Sequence, residues 1–183
     1  HTAGNRLPVV ARRPAPVQIA YLGFPGPTGL DAIDCRLGDC HADPESHADQ
    51  SGSDQVIRLP RTAWCYSPLT DGPPLDELPA GRHGFVTFGC FNNLAKATDA
   101  MLGLWADILE RTPGARLAIK NQAVTCPSVA HRVREFFQSR GIPPPRLELM
   151  PPTPAWADHL RCYNRVDIAL DTFPYNGTTT TCE

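Results

Sequence analysis

Beyond residue 84 the chain alternates between two patterns of hydrophobic spacing. Apolar residues three and four positions apart predict amphipathic helices at 99–111, 128–140 and 155–163. Short apolar runs predict strands at 85–91, 116–120, 146–150 and 166–170, the last as a buried strand. Because strands alternate with helices, we expect a parallel sheet with right-handed crossovers. The pattern is typical of an α/β fold.

The pattern before residue 84 is less regular. Residues 1–16 are polar and basic with repeated prolines, which predicts an extended entry segment. Prolines, glycine and mixed charges in 67–84 are typical of a linker. We therefore divide the chain into a first part, a linker and a second part. These are 1–70, 71–83 and 84–183, with strands of the first part predicted at 17–22, 34–39 and 55–59.

Composition narrows the class of protein. The chain has 183 residues, 42% hydrophobic and 20% charged, which fits a globular domain, and no apolar run approaches the ~20 residues of a membrane span. A formal charge of −2 provides no basic surface for nucleic acid. Seven irregularly spaced cysteines without a CxxC motif favour reduced thiols in a cytoplasmic protein. The chain begins with His1 and ends where a helix is predicted to start, so we expect a fragment of a larger protein.

The segment after the last predicted strand is a candidate anion site. An Asn-Gly turn permits a tight reversal, and four threonines, Thr178 to Thr181, follow where a helix would begin. The start of a helix presents N–H groups and a positive dipole end, which suits phosphate. Taken alone, such a segment is also a common structural helix cap. Thr178, Thr179 and Thr180 are candidates to hold a diphosphate, and Glu183 to accept from ribose hydroxyls.

Two further candidates follow from the topology, because ligands of parallel sheets bind at the carboxyl ends of the strands. Asn92, Asn93 and Lys96 follow one strand, and His159 lies early in a helix that starts at the same edge. Alone, these are equally a turn with a surface lysine and an ordinary histidine. Together with the threonines they predict a nucleotide-diphosphate site in which Lys96 neutralises the leaving group. No carboxylate cluster suggests Mg²⁺, and no GxGxxG or GxxxxGK[ST] motif is present.

Five motifs occur in order along the chain. They are Arg-Pro-Ala-Pro-Val-Gln at 13–18, Gly-Phe-Pro-Gly at 23–26, Thr-Gly at 28–29, Phe-Gly-Cys-Phe-Asn-Asn-Leu-Ala-Lys at 88–96 and Asp-Ile-Ala-Leu-Asp-Thr-Phe-Pro-Tyr-Asn-Gly at 167–177. These segments resemble the catalytic region of O-linked N-acetylglucosamine transferases, most closely the bacterial type that carries tetratricopeptide repeats upstream. The resemblance covers nearly the whole chain.

The resemblance implies a GT-B fold, in which two Rossmann-like halves with parallel sheets enclose the active site. Residues 1–70 would end the first half and residues 84–183 would begin the second. It also implies inverting transfer of N-acetylglucosamine from UDP-GlcNAc to Ser or Thr hydroxyls of proteins. Neither a metal nor another cofactor is expected. The implied partners are the UDP-sugar, an acceptor protein and upstream repeats, with no nucleic acid and no membrane.

Residue roles follow from the matched motifs. Asn92, Asn93 and Lys96 would contact the nucleotide, with Lys96 on the diphosphate as the catalytic residue. The other expected contacts are His159 with uracil, Thr178, Thr179 and Thr180 with the phosphates, and Glu183 with the ribose. The family pattern has Gln in place of Asn93, His in place of Thr178 and Asp in place of Glu183. A histidine of the first half lies upstream of this chain, so the fragment alone is expected to be inactive.

Two alternatives remain open from the sequence. The substitutions at Asn93, Thr178 and Glu183 suit a non-catalytic scaffold attached to helical repeats. A different UDP-sugar enzyme of GT-B fold, such as an epimerase, would share the same architecture.

Overall fold

The computed structural model describes residues 5–23, 26–45, 55–68 and 72–183. It divides into two compact units, residues 1–67 and 68–183, and each contains a parallel sheet. Phe24 and Pro25 of the Gly-Phe-Pro-Gly motif lie outside the described residues, as do residues 70 and 71 at the predicted boundary.

The first unit has a three-stranded sheet in the order β1-β2-β3. The extended entry segment was a wrong prediction, because a short helix forms there with a proline in its first turn, where a missing N–H costs nothing. The strand predicted at 17–22 shortens to two residues. The elements are α1 Leu7–Val10, β1 Ile19–Ala20, β2 Cys35–Asp39 and β3 Gln55–Leu59.

Buried polar contacts hold the first unit together at the end of β2. The Asp39 carboxylate is fully buried and accepts from the N–H groups of Ala63, Ala42 and His41 at 2.7–2.9 Å. Hydrogen bonds from Ala63 and Ala42 hold the pKa of Asp39 below its usual range. This carboxylate therefore ties two loops to the strand.

The second unit has a four-stranded parallel sheet in the order β6-β5-β4-β7. Helices alternate with its strands, as the hydrophobic pattern predicts. Short 3₁₀ turns lie at 94–96, 122–125, 144–146 and 162–165. The elements are α2 Pro79–His83, β4 Thr87–Cys90, α3 Asp99–Arg111, β5 Arg116–Lys120, α4 Pro127–Ser139, β6 Leu147–Met150, α5 Trp156–Arg161, β7 Ile168–Ala169 and α6 Thr179–Cys182.

Helix α3 packs its apolar stripe on the sheet to form the main core. Thr98 caps it by accepting from the Met101 N–H at 3.2 Å. Trp105 and Leu109 are each 1% exposed, and Phe137 of α4 is fully buried against the same cluster. Burying side chains of this size contributes about 1.5–3 kcal/mol each. This core fixes the strands whose ends carry the candidate site.

Two local expectations change in the second unit. The predicted linker ends in helix α2, whose Ala80 N–H donates to the Asp167 carboxylate at 2.8 Å. The run 166–170 is not the buried strand that was predicted. Only Ile168–Ala169 pair, β7 lies at the edge of the sheet formed by the described strands, and Ile168 is 48% exposed.

Candidate functional site

The carboxyl ends of β4, β5 and β7 meet at one edge of the second sheet. Asn92 follows β4, Lys120 ends β5, and Asp171 lies two residues beyond β7. Because β4 pairs directly with both β5 and β7, the segments that leave these three strands are neighbours. Their polar side chains form two connected groups, one around Asp171 and one around His159.

Asp171 organises the turn that precedes α6. Its carboxylate accepts from the Thr172 and Gly177 N–H groups and from the Asn92 amide, each at 2.7 Å, and from the Asn176 amide at 3.3 Å. Partial burial raises the pKa of Asp171, but the hydrogen bonds from Gly177 and Thr172 outweigh it and hold the pKa below its usual value. A charged carboxylate therefore fixes the backbone of the Asn-Gly turn.

Asn92 links this turn to α6 and to β5. Its side chain, in a residue only 6% exposed, donates to Asp171 and accepts from the Thr180 hydroxyl. Its carbonyl accepts from the Asn121 amide at 3.2 Å. A Cβ on Gly177 would lie 2.4 Å from Asn92 Oδ1, so any other residue here would force the turn or the Asn92 side chain to move.

Lys96 reaches across to the same turn from the 3₁₀ turn after β4. Its Nζ donates to the Asn176 carbonyl at 2.8 Å and lies 4.3 Å from the centroid of the Tyr175 ring. Partial burial lowers the pKa of the Lys96 ammonium, and the negative charge of Asp171 works in the opposite direction. The lysine is half-buried, and it is held by one backbone oxygen and one ring face.

The second group is a row of buried polar side chains. Lys120 Nζ lies 2.7 Å from Nδ1 of His159, and Nε2 of the same ring lies 2.8 Å from Oε2 of Glu183. The Tyr163 hydroxyl donates to the same Oε2 at 2.9 Å. Lys120 is 5% exposed, and the Glu183 side chain is 3% exposed. The row therefore lies almost wholly away from water.

Aromatic rings surround the histidine. The Trp156 ring is tilted by 31° to the His159 ring with centroids 5.2 Å apart, and Tyr163 meets it edge-on at 5.7 Å. Phe91 lies 6.0 Å away on the β4 side. The His159 side chain remains 17% exposed. It is thus a firmly held ring with a limited accessible surface.

The structure brings together most of the residues predicted from the sequence. Lys96 meets the Asn-Gly turn, Asn92 meets Thr180, and His159 meets Glu183. Asn93 is exposed, and its side chain caps its own 3₁₀ turn through the Ala95 N–H. The other predicted threonines, Thr178 and Thr179, lie at the start of α6.

Helix α6 begins within the threonine run, as predicted, and Thr178 is its N-cap residue. Thr178 precedes the helix but its side chain makes no capping hydrogen bond, because its backbone lies outside the extended conformation that favours a cap. Thr180 inside the helix, by contrast, uses its hydroxyl on Asn92. Within the threonine run, Thr178 thus contributes its backbone to the start of the helix, whereas Thr180 contributes a side-chain contact.

Four residues of this edge were not among the predicted site residues: Trp156, Tyr163, Asp171 and, above all, Lys120. The chain has only two lysines, Lys96 and Lys120, and both lie at this edge. That scarcity was the one signal in the sequence that singled out Lys120. The position of Asp171 at the end of an apolar run marks it as a strand-end residue, but its role in the turn depends on the folded backbone.

Two general features bear on the class of protein. Within the residues that the structure describes, no group of three or more His, Cys, Asp or Glu side chains is placed to hold a metal ion. Among the helices of the same residues, none combines the length and apolar character needed to cross a membrane.

Comparison with known proteins identifies relatives over the whole chain. A scan against models of protein families finds no match. The chain is 46% identical over 183 residues to the tomato (Solanum lycopersicum) protein named probable UDP-N-acetylglucosamine–peptide N-acetylglucosaminyltransferase SPINDLY, covering 100% of this chain and 20% of that protein. The Arabidopsis thaliana SPINDLY protein is 44% identical with the same coverage. The Arabidopsis SEC protein, also named a probable transferase of this kind, is 28% identical over 98% of this chain and 19% of its own length.

A solved structure has the same fold. A mutant O-GlcNAc transferase of Thermobaculum terrenum superimposes with a TM-score of 0.84 at 38% identity, covering 95% of this chain and 32% of that chain. The present chain thus spans about a fifth of the length of the curated relatives it matches. The fold is α/β of the GT-B glycosyltransferase type, with parts of two Rossmann-like halves that have parallel sheets. In sequence and in fold, the chain is similar to part of these named N-acetylglucosamine transferases.

Proposed function

We propose that the protein carrying this chain transfers N-acetylglucosamine from UDP-GlcNAc to Ser or Thr hydroxyls of proteins. The observation that carries the proposal is the contact of Lys96 with the Asn176-Gly177 turn at the carboxyl edge of the sheet, in a chain 46% identical to a protein named for this reaction. Transfer is expected to invert the anomeric centre and to need neither a metal nor another cofactor.

The part of the site around Lys96 suits a leaving diphosphate. The Lys96 ammonium is held by a carbonyl and a ring face, and either contact can be exchanged for a stronger one with phosphate oxygens. In an inverting transfer the acceptor oxygen bonds to the anomeric carbon as the bond to the diphosphate breaks. Negative charge then grows on the diphosphate, and a fixed ammonium stabilises it. Thr178, Thr179 and Thr180 lie at the start of α6, directly after the turn that Lys96 contacts, and are assigned to the phosphates together with Asn92 and Asn93.

The part of the site around His159 suits the nucleoside. His159 offers part of a ring that is already held on several sides by aromatic residues, which fits stacking or edge contact with a base. The Glu183 side chain contacts His159 and Tyr163 through the same oxygen, Oε2. We therefore assign Oε1 to a ribose hydroxyl.

The wider setting of the chain is also proposed. We place the protein in the cytoplasm, with tetratricopeptide repeats of the bacterial type preceding the catalytic region and with an acceptor protein as partner. Nucleic acid and membrane are not expected partners. The resemblance of the motifs supports this setting.

A purified full-length protein tests the activity directly. We expect it to release UDP from UDP-GlcNAc in the presence of acceptor peptides and to leave a peptide heavier by one N-acetylhexosamine in mass spectrometry. Parallel reactions should use UDP-glucose and a guanine-linked nucleotide sugar, because Asn93, Thr178 and Glu183 depart from the family pattern. Preference for one of these donors would overturn the assigned donor while retaining a glycosyltransferase.

Other outcomes separate the alternatives. A protein that binds no nucleoside diphosphate and releases none would favour a scaffold. Conversion of the free nucleotide sugar without any acceptor would favour an epimerase, and product analysis by NMR would identify the altered sugar.

A further inference from the structure

We propose that Lys120 is a positioning residue that sets the tautomer and orientation of His159, and through it the direction of the Glu183 carboxylate. The inference rests on the proposed nucleotide site. It concerns a lysine that touches neither the Asn-Gly turn nor, in our assignment, the ligand itself. Lys120 would act on nucleoside binding only through its contact with His159 Nδ1.

The hydrogen-bond chemistry of the row allows one arrangement. An ammonium has three donors and no acceptor, so His159 Nδ1, at 2.7 Å from Lys120 Nζ, must accept. An uncharged imidazole that accepts at Nδ1 carries its proton on Nε2. That nitrogen lies 2.8 Å from Glu183 Oε2, which accepts. The opposite tautomer would place an N–H against the ammonium and a lone pair against the carboxylate.

Burial makes this arrangement stiff. Lys120 is 5% exposed and the Glu183 side chain 3%, so neither charge has much water to replace a lost partner. A buried charge left unpaired costs several times more than an exposed one. The positive charge of Lys120 and the negative charge of Glu183 compensate each other across the His159 ring between them. His159 cannot turn over without breaking contacts at both ends.

The aromatic surroundings of the row hold the His159 ring without setting its tautomer. The Lys120 ammonium is also 5.9 Å from the Phe91 ring, a face that attracts a cation but cannot orient a histidine. Tyr163 donates to Oε2 and so supports the carboxylate, but it meets the His159 ring only edge-on. Trp156 fixes the plane of the ring without distinguishing its two nitrogens. Of the described contacts, those at the two ends of the row, Lys120 with Nδ1 and Glu183 with Nε2, distinguish the two nitrogens.

A purely structural role for Lys120 is the competing explanation. In that case its removal would lower the amount of folded protein and leave the properties of the folded fraction unchanged. A positioning role predicts weaker nucleoside binding by a protein that is still folded. Dissociation constants and a comparison of KM with kcat separate the two.

The experiment compares Lys120→Met with Lys120→Arg in the full-length protein. Lys120→Met removes the donor at similar length, and we expect the dissociation constants of UDP and of uridine to rise about tenfold. Inhibition by pyrophosphate, which lacks the nucleoside, should stay within about twofold. The apparent KM for donor should rise with kcat little changed, because binding is lost equally in the ground state and the transition state. Lys120→Arg keeps a charged donor and should restore most of the affinity.

A double-mutant cycle gives the sharpest test. If Lys120 acts through His159, the Lys120→Met change should have no further effect on uridine binding once His159→Ala is present. Full additivity of the two effects would overturn the proposal, and so would unchanged uridine affinity in a folded Lys120→Met protein. Should Lys120→Met fail to fold, Lys120→Leu, which also removes the donor, takes its place in both comparisons under the same criteria.

Failure of the inference is distinguishable from failure of the proposed function. If the unmodified protein binds neither UDP nor any other nucleoside diphosphate, the proposed site itself is wrong. If the unmodified protein binds UDP and the Lys120 variants bind UDP equally well, the proposed site is retained and the positioning role of Lys120 is refuted.

Discussion

The two lysines of the chain lie at opposite ends of one site and in opposite environments. Lys96 is half-buried, and its ammonium is held by a backbone carbonyl and an aromatic face. Lys120 is 5% exposed, and its ammonium is held by a histidine that is in turn held by a carboxylate. The first arrangement can exchange its partners for a ligand at little cost, whereas the second cannot.

This difference indicates how one sheet edge can serve two tasks. The end around Asp171 fixes a backbone turn and leaves a cation able to move onto a diphosphate. The end around His159 fixes side chains in a dry environment and leaves a small part of one ring accessible. Chemistry is therefore expected at the Lys96 end and recognition at the Lys120 end, and the following changes test that division.

Removal of the ammonium at the Lys96 end should have the largest effect. For Lys96→Ala we expect kcat to fall by about 100-fold or more, because the developing charge on the diphosphate loses its main stabilising group. Stability should change by less than about 0.5 kcal/mol, since the side chain is half-exposed and makes one hydrogen bond. Steady-state kinetics and thermal unfolding measure the two quantities. An unchanged kcat would remove Lys96 from the chemistry.

Neutralising Asp171, which organises the Asn-Gly turn, should have the second-largest effect. For Asp171→Asn we expect a loss of about 2 kcal/mol in the free energy of unfolding at neutral pH. Three of the four donors share Oδ1, which an asparagine amide retains without the negative charge, while an NH2 group would replace Oδ2 opposite the Asn176 amide. Urea denaturation followed by tryptophan fluorescence measures the loss.

The pH dependence of the same variant gives an independent check. The pKa of Asp171 is lower in the folded state than its ordinary value of 3.8. Its contribution is therefore complete above the unfolded pKa and is lost as the pH falls through the folded pKa. The difference in stability between the unmodified protein and Asp171→Asn should be constant from about pH 7 to pH 5 and shrink below about pH 4. A difference that grows on acidification would contradict the assignment.

A methyl group at Gly177 should disturb the Lys96 end alone. The added Cβ would lie 2.4 Å from Asn92 Oδ1 and 2.7 Å from Thr181 Oγ1, so the turn has to shift. We expect Gly177→Ala to cost about 1–2 kcal/mol and to weaken pyrophosphate inhibition more than uridine binding. Gly81→Ala is the matched control, because a Cβ there meets nothing within 4 Å. Equal effects of the two changes would refute the close-approach explanation.

The smallest effect is expected at the Lys120 end. Tyr163→Phe removes one of the two donors to Glu183 Oε2 and leaves the contact with His159 in place. We expect a loss of about 1 kcal/mol in stability and a rise of less than about fivefold in the dissociation constant of uridine. Isothermal titration calorimetry measures the binding. A loss as large as that of Lys120→Met would show that the tyrosine positions the carboxylate as much as the lysine does.

The hydrophobic periodicity of the sequence was sufficient to predict many helices and strands of the second unit. Helix α3 spans Asp99–Arg111 and strand β5 spans Arg116–Lys120, both as predicted, because long regular patterns with clear caps leave little competition from tertiary contacts. Edges were harder. The entry segment forms helix α1 instead of extended chain, and the run at 166–170 pairs over only two residues at the edge of the sheet.

The sequence by itself determined the α/β class, the parallel order of elements and the edge where Asn92, Lys96, His159 and Glu183 gather. These follow from local spacing and from the rule that parallel strands end at one edge. Only the tertiary structure decided which polar groups meet. Residue pairs such as Lys120 with His159 and Asn92 with Asp171 are separated by 39 and 79 positions, and nothing local specifies them. Their pairing depends on the packing of the sheet and helices, which brings buried donors and acceptors within reach and makes each unpaired one costly.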